Sequence, residues 1–286
     1  MAEPPLDPLA RLVERADPVS FRAALFAAPP ARERLMTFAA FDIELSRAAA
    51  KAPGRDEGPL LAQMRLQFWR DRIEAARSGA AYDADTRHHE VAAPLQAMLA
   101  GALRPHVDRA TDMVAARLTE IEGFADQPAW HRWADQRFAA RYRLALAALD
   151  IGATGEGEQN IESAVADLGL IAATGFTLRN LVQSARDGRV LLPAIHGDGL
   201  AALQRGELMG EARLAVESLL AEANAVLNRL KDCRAMLSRR AMPALLPLIR
   251  DRRTISLAER QGVRAAANTA EPGAVRLLYA VVTGRL

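Results

Sequence analysis

Hydrophobic positions along the chain recur with the 3.6-residue period of an α-helix, in one segment after another. The segments predicted as helices are 32–50, 60–76, 91–100, 104–121, 129–150, 160–186, 210–239 and 275–284. Glycine and proline punctuate the chain between them, as at Pro53-Gly54. Strict polar–apolar alternation, the pattern of a half-buried strand, never extends beyond a few residues. The pattern predicts an all-α protein, a single domain of about ten helices over residues 1–286, with residues 1–17 as an N-terminal extension.

The composition is that of a foldable chain, and it narrows the classes of function. The 286 residues include 37 Lys and Arg against 35 Asp and Glu, for a formal net charge of +2, and half are apolar. This near balance argues against a nucleic-acid partner. The single cysteine, Cys233, excludes a disulfide framework and a cysteine-rich zinc site, and the five histidines form no HExxH motif.

The N-terminal sequence and the apolar runs bear on location. Prolines and acids stand where a secretory signal peptide needs an apolar stretch. No apolar run approaches the roughly 20 residues of a membrane span. The sequence therefore predicts a cytoplasmic protein without a transmembrane segment.

Two stretches carry residues suited to binding or catalysis. The first reads MRLQFWRD at 64–71, where Arg65 and Trp69 are four residues apart and share one face of a helix. The second, over 169–193, is a helix that ends in a GRVLLP exit and carries Arg179, Asn180 and Ser184. Each stretch is also typical of ordinary structure: an amphipathic helix with its tryptophan in the core, and a helix stopped by a glycine C-cap.

Five phrases, in matching order and spacing, resemble the squalene/phytoene synthase family. They are PPARERLMTFAAFDIELSR at 29–47, MRLQFWRD at 64–71, QRFAARYRLALAALDIG at 136–152, GRVLLP at 188–193 and ALLPL at 244–248. The resemblance spans residues 18–250 or so and implies an all-α isoprenoid-synthase bundle around a central cavity. Active members of that family join two prenyl diphosphates head to head, with Mg²⁺ held by two aspartate-rich DxxxD motifs on facing helices.

The resemblance also implies which helices are central. Segments 32–50 and 160–186 match the two motif-bearing helices, so we expect them to be neighbours beside the cavity. Each carries a pair of small residues, Ala39-Ala40 in the first and Ala172-Ala173 in the second. Small side chains permit close approach of helix axes, and the sequence therefore predicts close contact between the two.

The aspartates of both motifs are missing from this chain. The positions that match the first motif are Ser46 and Ala50, and those that match the second are Asn180 and Ser184, although the neighbouring Arg179 is retained. Mg²⁺ prefers carboxylates, waters and substrate phosphates in near-octahedral geometry, and these neutral side chains bring no charge to hold it. We expect no metal site, no cofactor and no catalytic residue for metal-dependent transfer.

One branch of the family has lost these aspartates and keeps phrases similar to AFDIELSR and MRLQFWRD. It includes a mitochondrial assembly factor of respiratory complex I and related bacterial proteins. The resemblance implies a non-catalytic assembly, interaction or lipid-binding protein, with a respiratory-complex subunit as a partner and peripheral contact with the inner membrane. The alternative is an active prenyltransferase that condenses prenyl diphosphates head to head, with Mg²⁺ or with arginines holding the diphosphate. A third interpretation is a helical binding module whose old cavity is filled.

The retained residues suggest a ligand site. The candidate cavity mouth comprises Arg47, Arg65, Trp69, Arg70, Arg179 and Asn180, and the candidate apolar floor comprises Phe38, Phe41, Phe68 and Phe176. Such a site suits a prenyl diphosphate or another anionic lipid, because burying its chain contributes about 0.8 kcal/mol per CH₂ and arginine grips an anionic head with two donors. The competing interpretation is that Phe176 and its neighbours fill the space as core.

Overall fold

The computed structural model describes residues 7–50, 59–81, 84–151, 157–193, 195, 197–232 and 239–283. Those residues form sixteen α-helices and no β-strand, which confirms the predicted all-α, isoprenoid-synthase-like fold. The helices are α1 (Pro8–Ala16), α2 (Pro18–Ala24), α3 (Pro29–Ala49), α4 (Pro59–Ser78), α5 (Ala84–His88), α6 (Ala92–Ala100), α7 (Val107–Glu122), α8 (Gln127–Ala134), α9 (Ala140–Ala148), α10 (Gly157–Arg186), α11 (Gly197–Gln204), α12 (Gly210–Asp232), α13 (Met242–Leu245), α14 (Leu248–Gln261), α15 (Val263–Ala267) and α16 (Ala274–Thr283). A π-helical turn, Asp135–Ala139, joins α8 to α9.

Proline and aspartate set several helix starts. Proline occupies the first turn of α1, α2 and α3, where its missing N–H costs no hydrogen bond. Asp17 caps α2: its carboxylate accepts hydrogen bonds from the Ser20 backbone N–H at 3.2 Å and from the Ser20 hydroxyl at 2.6 Å. The same carboxylate faces the central cavity described below, so one residue both starts a helix and supplies charge to the interior.

A continuous apolar core runs from α1 to α15, and a smaller one anchors α16. Residues 8–17, which the sequence assigns to an extension, belong to the packed structure, because Leu9 and Val13 of α1 are buried in the large core. The small cluster comprises Ala23, Met242, Leu246, Ile249, Leu277 and Ala280. It joins α2, α13, α14 and α16 at one side of the bundle.

Helix α10 is the central element, and two glycines let it approach its neighbours. A Cβ atom at Gly169 would lie 2.6 Å from Ala139 Cβ, and one at Gly175 would lie 2.7 Å from Asp251 Cβ. Real Cβ atoms do not come that close, so both positions require glycine. The helix packs most extensively against α14 and the π-helical turn.

The predicted close contact between α3 and α10 needs correction. Helix α10 is not among the helices against which α3 packs extensively, which include α1, α2, α4 and α9. Instead α3 and α10 line the same cavity, α3 through Ala39 and α10 through Ala172. The alanines therefore border empty space between the helices, and the close approach of α10 falls at its glycines.

One described helix has the length and hydropathy of a membrane span, contrary to the expectation that no apolar run is long enough. It is the 161–186 part of α10. The most apolar stretch of 18 residues in it has a mean hydropathy of 1.4, and 61% of that stretch is buried inside the fold. The central helix of an all-α core meets the same criteria as a span, because most of its residues are apolar and buried.

Candidate functional site

A cavity of about 220 Å³ lies between the α1–α2 corner and helices α3, α9, α10, α13 and α14. Many of its lining residues are polar or charged: Asp17, Ser20, Asp42, Ser46, Arg137, Arg141, Tyr142, Arg179, Arg250 and Asp251. The predicted arrangement of an apolar floor beneath a ring of arginines is therefore wrong. The arginines lie inside, and aspartates lie among them.

The first ion-pair group surrounds Asp42 on α3. Its Oδ1 accepts from Arg117 Nη2 at 2.6 Å, and its Oδ2 accepts from Arg141 Nη1 at 3.1 Å. Burial alone would raise the pKa of Asp42, but the guanidinium groups of Arg117 and Arg141 outweigh it and lower the pKa. Asp42 is therefore an ionised, doubly paired carboxylate.

Arg117 on α7 connects this group to a second carboxylate. Its side chain is buried and lies between Asp42 and Glu120, whose Oε2 is 3.1 Å from Arg117 Nη1. Arg137 also pairs with Glu120 Oε1, and Trp133 Nε1 donates to the same oxygen at 2.8 Å. The two guanidinium groups overcome burial and lower the pKa of Glu120.

Arg137 is the least compensated cation of the network. Its guanidinium carbon lies 3.9 Å from the centre of the Phe176 ring and 4.7 Å from that of Phe138. Burial, together with repulsion from Arg117, lowers the pKa of Arg137 to about 9. Phe176 thus stacks on a buried charge, so its aromatic face has a role beyond filling space.

Asp17 collects a further pair of arginines at the start of α2. Its Oδ2 lies 3.2 Å from Arg141 Nη2, and its Oδ1 lies 3.6 Å from Arg250 Nη1. Burial opposes ionisation, yet Arg141, Arg250 and the hydrogen bonds from Ser20 lower the pKa of Asp17 to about 2. Arg141 therefore bridges Asp17 and Asp42 across the cavity wall.

On α10, Arg179 closes the network against α14. Its Nη1 lies 2.6 Å from Asp251 Oδ1 and donates to Thr254 Oγ1 at 3.0 Å. The Asp251 charge and burial both act on the nearby Tyr142, and burial contributes most to raising the pKa of that phenol. Arg179 is thus a paired cation within the cavity wall, while Asn180 beside it donates to the Phe176 carbonyl at 2.8 Å.

The network carries balanced charge. Its cations are Arg117, Arg137, Arg141, Arg179 and Arg250, and its anions are Asp17, Asp42, Glu120, Asp251 and Glu271. Five positive charges therefore stand against five negative ones, and each carboxylate has at least one arginine partner. Four of these arginines line the cavity itself, against three aspartates, which favours an anion over a cation there.

The residues at the motif positions do not fit Mg²⁺. The Ser46 hydroxyl accepts from Arg117 Nη2 at 2.8 Å and donates to the Asp42 carbonyl at 2.8 Å. The Ala50 carbonyl accepts from Arg65 Nη1 at 3.4 Å, and the buried Ser184 offers a carbonyl already bonded to the Arg189 N–H at 2.7 Å. Among the residues the structure describes, no three His, Cys, Asp or Glu side chains cluster as metal ligands.

Four of the predicted mouth and floor residues line a different site. Arg47, Arg65, Phe68 and Trp69 border an open groove of about 370 Å³ on the α3–α4 surface, together with Glu44, Ala48 and His89. In this groove Arg47 pairs with Glu44 at 2.8 Å. The expectation that these residues surround the central cavity together with Arg179 is wrong, because neither Arg47 nor any described residue of α4 lines that cavity.

The remaining predicted residues lie in three places: the lining of the central cavity, the core and the surface. Phe38 and Phe176 line the central cavity, whereas Phe41 is fully buried with its ring 5.2 Å from that of Trp69. Three residues turn a helix by 300°, so Phe41 points about 60° away from Phe38 and towards α4. Arg70 is exposed and lines neither the cavity nor the groove.

Sequence reasoning missed most of the network, although one signal was present. Arg137 and Arg141 are four residues apart within the apolar phrase QRFAARYRLALAA and so lie on one helix face. Two arginines on the buried face of an apolar helix require carboxylate partners, because unpaired buried charge is very costly. The partners, Asp17, Asp42 and Glu120, are distant in sequence and carry no such signal.

The fold and the cavity define the class of protein: an all-α bundle whose helices enclose one central site. The profile of the squalene/phytoene synthase family matches residues 13–268, and the chain belongs to that family. The match is longer at both ends than the 18–250 span of the sequence phrases, and it includes α14 and α15. A search of curated proteins finds no match.

Proposed function

We propose that this chain is a squalene/phytoene synthase family member that does not catalyse Mg²⁺-dependent prenyl transfer and works instead as a binding or assembly protein. The observation that carries the proposal is the hydrogen bond from Arg117 Nη2 to Ser46 Oγ, at 2.8 Å. A buried cation belonging to the protein touches the position where the first aspartate of the metal motif stands in active members.

Electrostatics supports this proposal. Two like unit charges 4 Å apart repel by about 4 kcal/mol at an effective dielectric constant of about 20, and a divalent ion doubles that cost. The nearest carboxylate, Asp42, already pairs with both Arg117 and Arg141. A magnesium ion at this position would have to displace arginines from their partners, because every carboxylate among the described lining residues already pairs with an arginine.

Cavity size supports it as well. The cavity measures about 220 Å³, and sites for drug-sized ligands usually measure about 300–1,000 Å³. Head-to-head condensation needs two long prenyl chains side by side. The cavity suits an anionic head group or a short length of chain, in keeping with a lining of four arginines against three aspartates.

We therefore propose an anionic lipid, a prenyl diphosphate among them, as the ligand class, with no cofactor. A respiratory-complex subunit as partner and peripheral contact with the inner membrane follow from the resemblance to the branch that lacks the aspartates. These parts of the proposal concern binding alone and need no bond-making step.

The test is incubation with farnesyl or geranylgeranyl diphosphate and Mg²⁺, followed by measurement of released diphosphate and coupled hydrocarbon. We expect neither product, while an active family enzyme assayed in parallel yields both. Coupled product from the wild type that is lost in Arg179→Ala but kept in the exposed Arg70→Ala variant would contradict the proposal. That result would favour the alternative, an arginine-assisted prenyltransferase.

A further inference from the structure

Helix α16 (Ala274–Thr283) is apolar on both of its faces, and only one face is covered by the protein. Leu277 and Ala280 point inward, into the small apolar cluster. The outward residues are Val275, Leu278, Tyr279 and Val282, with exposed fractions of 83%, 51%, 57% and 62%. A helix that is apolar all round is normally buried, so the exposed outer face of α16 is a candidate contact surface.

The outward residues form one stripe. They follow the i, i+3, i+4, i+7 spacing that places side chains along a single side of a helix. Large exposed apolar patches on a folded protein mark sites of contact with other proteins or with membranes. We name the four residues Val275, Leu278, Tyr279 and Val282 the outer stripe.

Two further exposed apolar residues follow α2, which packs against the inner face of α16. Ala23 of α2 packs in the small cluster with Leu277 and Ala280. Leu25 and Phe26, exposed to 45% and 38%, follow Ala23 by two and three residues. Three residues of chain span at most about 11 Å, so both residues lie within that distance of Ala23 and of the cluster beneath α16.

Arginines are the charged residues of the two chain segments that carry these exposed apolar side chains. Residues 18–32 and 274–283 contain three arginines, Arg22, Arg32 and Arg276, and no aspartate or glutamate. The nearest acids along the chain are Asp17, which is paired inside the cavity, Glu33, and Glu271, whose Oε1 accepts from Arg250 Nη1 at 3.2 Å. The chain as a whole is nearly balanced, with 37 basic and 35 acidic residues.

We propose that the outer stripe, with Leu25 and Phe26, docks on an anionic lipid surface. Ten residues of helix are about half the length needed to cross a bilayer, so α16 lies in the plane of the interface, with its apolar side chains among the acyl chains. Tyr279 suits that depth because its ring is apolar and its hydroxyl is wet, and the arginines attract anionic head groups.

The surface adjoins the central cavity. Helix α2 supplies Ser20 and Ala24 to the cavity wall and Ala23 to the cluster beneath α16, and α13 likewise supplies Ala244 to the wall and Met242 to the cluster. Docking would hold this side of the cavity at the lipid surface. The inference rests on the membrane contact of the proposed function and names the surface that would make it, and it stands whether or not the cavity takes a ligand.

Sedimentation with vesicles tests the inference on the full chain. We expect binding to phosphatidylcholine vesicles that contain phosphatidylglycerol, and at least tenfold weaker binding to phosphatidylcholine alone. The triple variant Val275→Ser, Leu278→Ser, Val282→Ser should lose binding, and Arg276→Glu should weaken it about tenfold. The three side chains of the triple variant are exposed and lie outside the buried clusters, so its thermal midpoint should stay close to that of the wild type.

A matched control uses exposed apolar residues in surroundings of mixed charge. Met209 and Leu214 are as exposed as the outer stripe and lie beside Glu211 and Arg213, and the double variant Met209→Ser, Leu214→Ser should bind vesicles like the wild type. Failure of the wild type to bind anionic vesicles would overturn the inference. So would a wild-type dimer that the triple variant converts to a monomer, because a second copy would then cover the stripe.

Discussion

Arg117 Nη2 lies 2.8 Å from Ser46 Oγ and 2.6 Å from Asp42 Oδ1, so a single guanidinium joins the first motif position to the carboxylate four residues before it. Arg117 is on α7 and the other two residues are on α3. Arg117 is therefore 71 residues from Ser46 and 75 residues from Asp42 in sequence, and the contact links two distant helices. A fixed cation therefore occupies the position that Mg²⁺ would need. The first two predictions follow from this contact.

Restoring the first aspartate should not restore a metal site. In Ser46→Asp the new carboxylate would lie next to Arg117 and pair with it, because the hydroxyl oxygen already accepts from that side chain. We expect calorimetric titration with Mg²⁺ to show no binding stronger than millimolar, in the variant as in the wild type. Tight binding in Ser46→Asp that Asn180→Ala abolishes would mean that both motif positions still face a metal.

Removing Arg117 should destabilise the fold strongly. In Arg117→Met, Asp42 keeps Arg141 and Glu120 keeps Arg137, but both buried carboxylates lose a partner. Breaking a buried ion pair from one side costs about 3–5 kcal/mol, and we expect a loss near the lower end in urea unfolding. The matched variant Arg70→Met changes an exposed arginine and should stay within about 0.5 kcal/mol of wild type. Equal small effects of the two variants would contradict a structural network.

Stability should fall below pH 4 because of Asp17. Its pKa is about 2 in the folded protein against 3.8 ordinarily, so the unfolded chain binds the proton first and ionised Asp17 stabilises the fold above pH 4. That contribution, about 2 kcal/mol at 1.36 kcal/mol per pKa unit, is lost as the pH falls from about 4 to about 2. Asp42 and Glu120, whose pKa values are also lowered, act in the same direction.

The test compares urea unfolding of wild type and Asp17→Asn at pH 6 and at pH 3. Asparagine retains an oxygen that can cap α2 but cannot ionise. The wild type should therefore lose more stability than the variant on acidification. Parallel losses in the two proteins would show that Asp17 has an ordinary pKa.

The sequence predicted the long helices well and the charged interior poorly. Helices α3, α4 and α10 have strong 3.6-residue patterns and were predicted within three residues of their observed ends. Helix α14 was not predicted, because arginines and acids dominate the segment 250–260 and its apolar residues are few. That helix supplies Arg250, Asp251 and Thr254, so the sequence prediction also missed a substantial part of the site.

The ion pairs were missed for a physical reason. Arg141 and Asp17 are 124 residues apart, and Arg117 and Asp42 are 75 apart, so each pair exists only through tertiary packing. Periodicity separates a buried face from an exposed one, and it assigns charged residues to the exposed face. Every arginine and aspartate of the network lies in the interior and therefore contradicts the assignment of charged residues to the exposed face.

The glycine at position 175 should be irreplaceable. A methyl group there would approach Asp251 Cβ to 2.7 Å and Cα to 2.8 Å, which would push α14 from α10 and weaken the Arg179–Asp251 pair. Overpacking typically costs about 1–3 kcal/mol, and we expect at least that loss in thermal and urea unfolding of Gly175→Ala.

Gly199 in α11 provides the matched comparison. A Cβ at this position meets only Ile195 Cγ2, at an ordinary 3.5 Å. Alanine is favoured over glycine within a helix by about 0.5–1 kcal/mol, so Gly199→Ala should be neutral or mildly stabilising. A stable Gly175→Ala protein would mean that α14 can shift without cost.

Arg65 and Arg179 should act independently, because they line different cavities. Arg65 is exposed in the α3–α4 groove, whereas Arg179 pairs with Asp251 at 2.6 Å in the central cavity. Arg65→Ala should change the free energy of unfolding by less than about 0.5 kcal/mol, and Arg179→Ala should cost several kcal/mol by leaving Asp251 buried with one partner fewer. The destabilisation of the double variant should equal the sum of those of the two single variants within about 0.5 kcal/mol.

Thermal shifts with prenyl diphosphates and anionic lipids complete the test. If the head group of the ligand enters the central cavity, Arg179→Ala loses the thermal shift while Arg65→Ala keeps it. Loss of the shift in Arg65→Ala alone would place the head group in the surface groove, and strong coupling between the two substitutions would show that a single site contains both arginines.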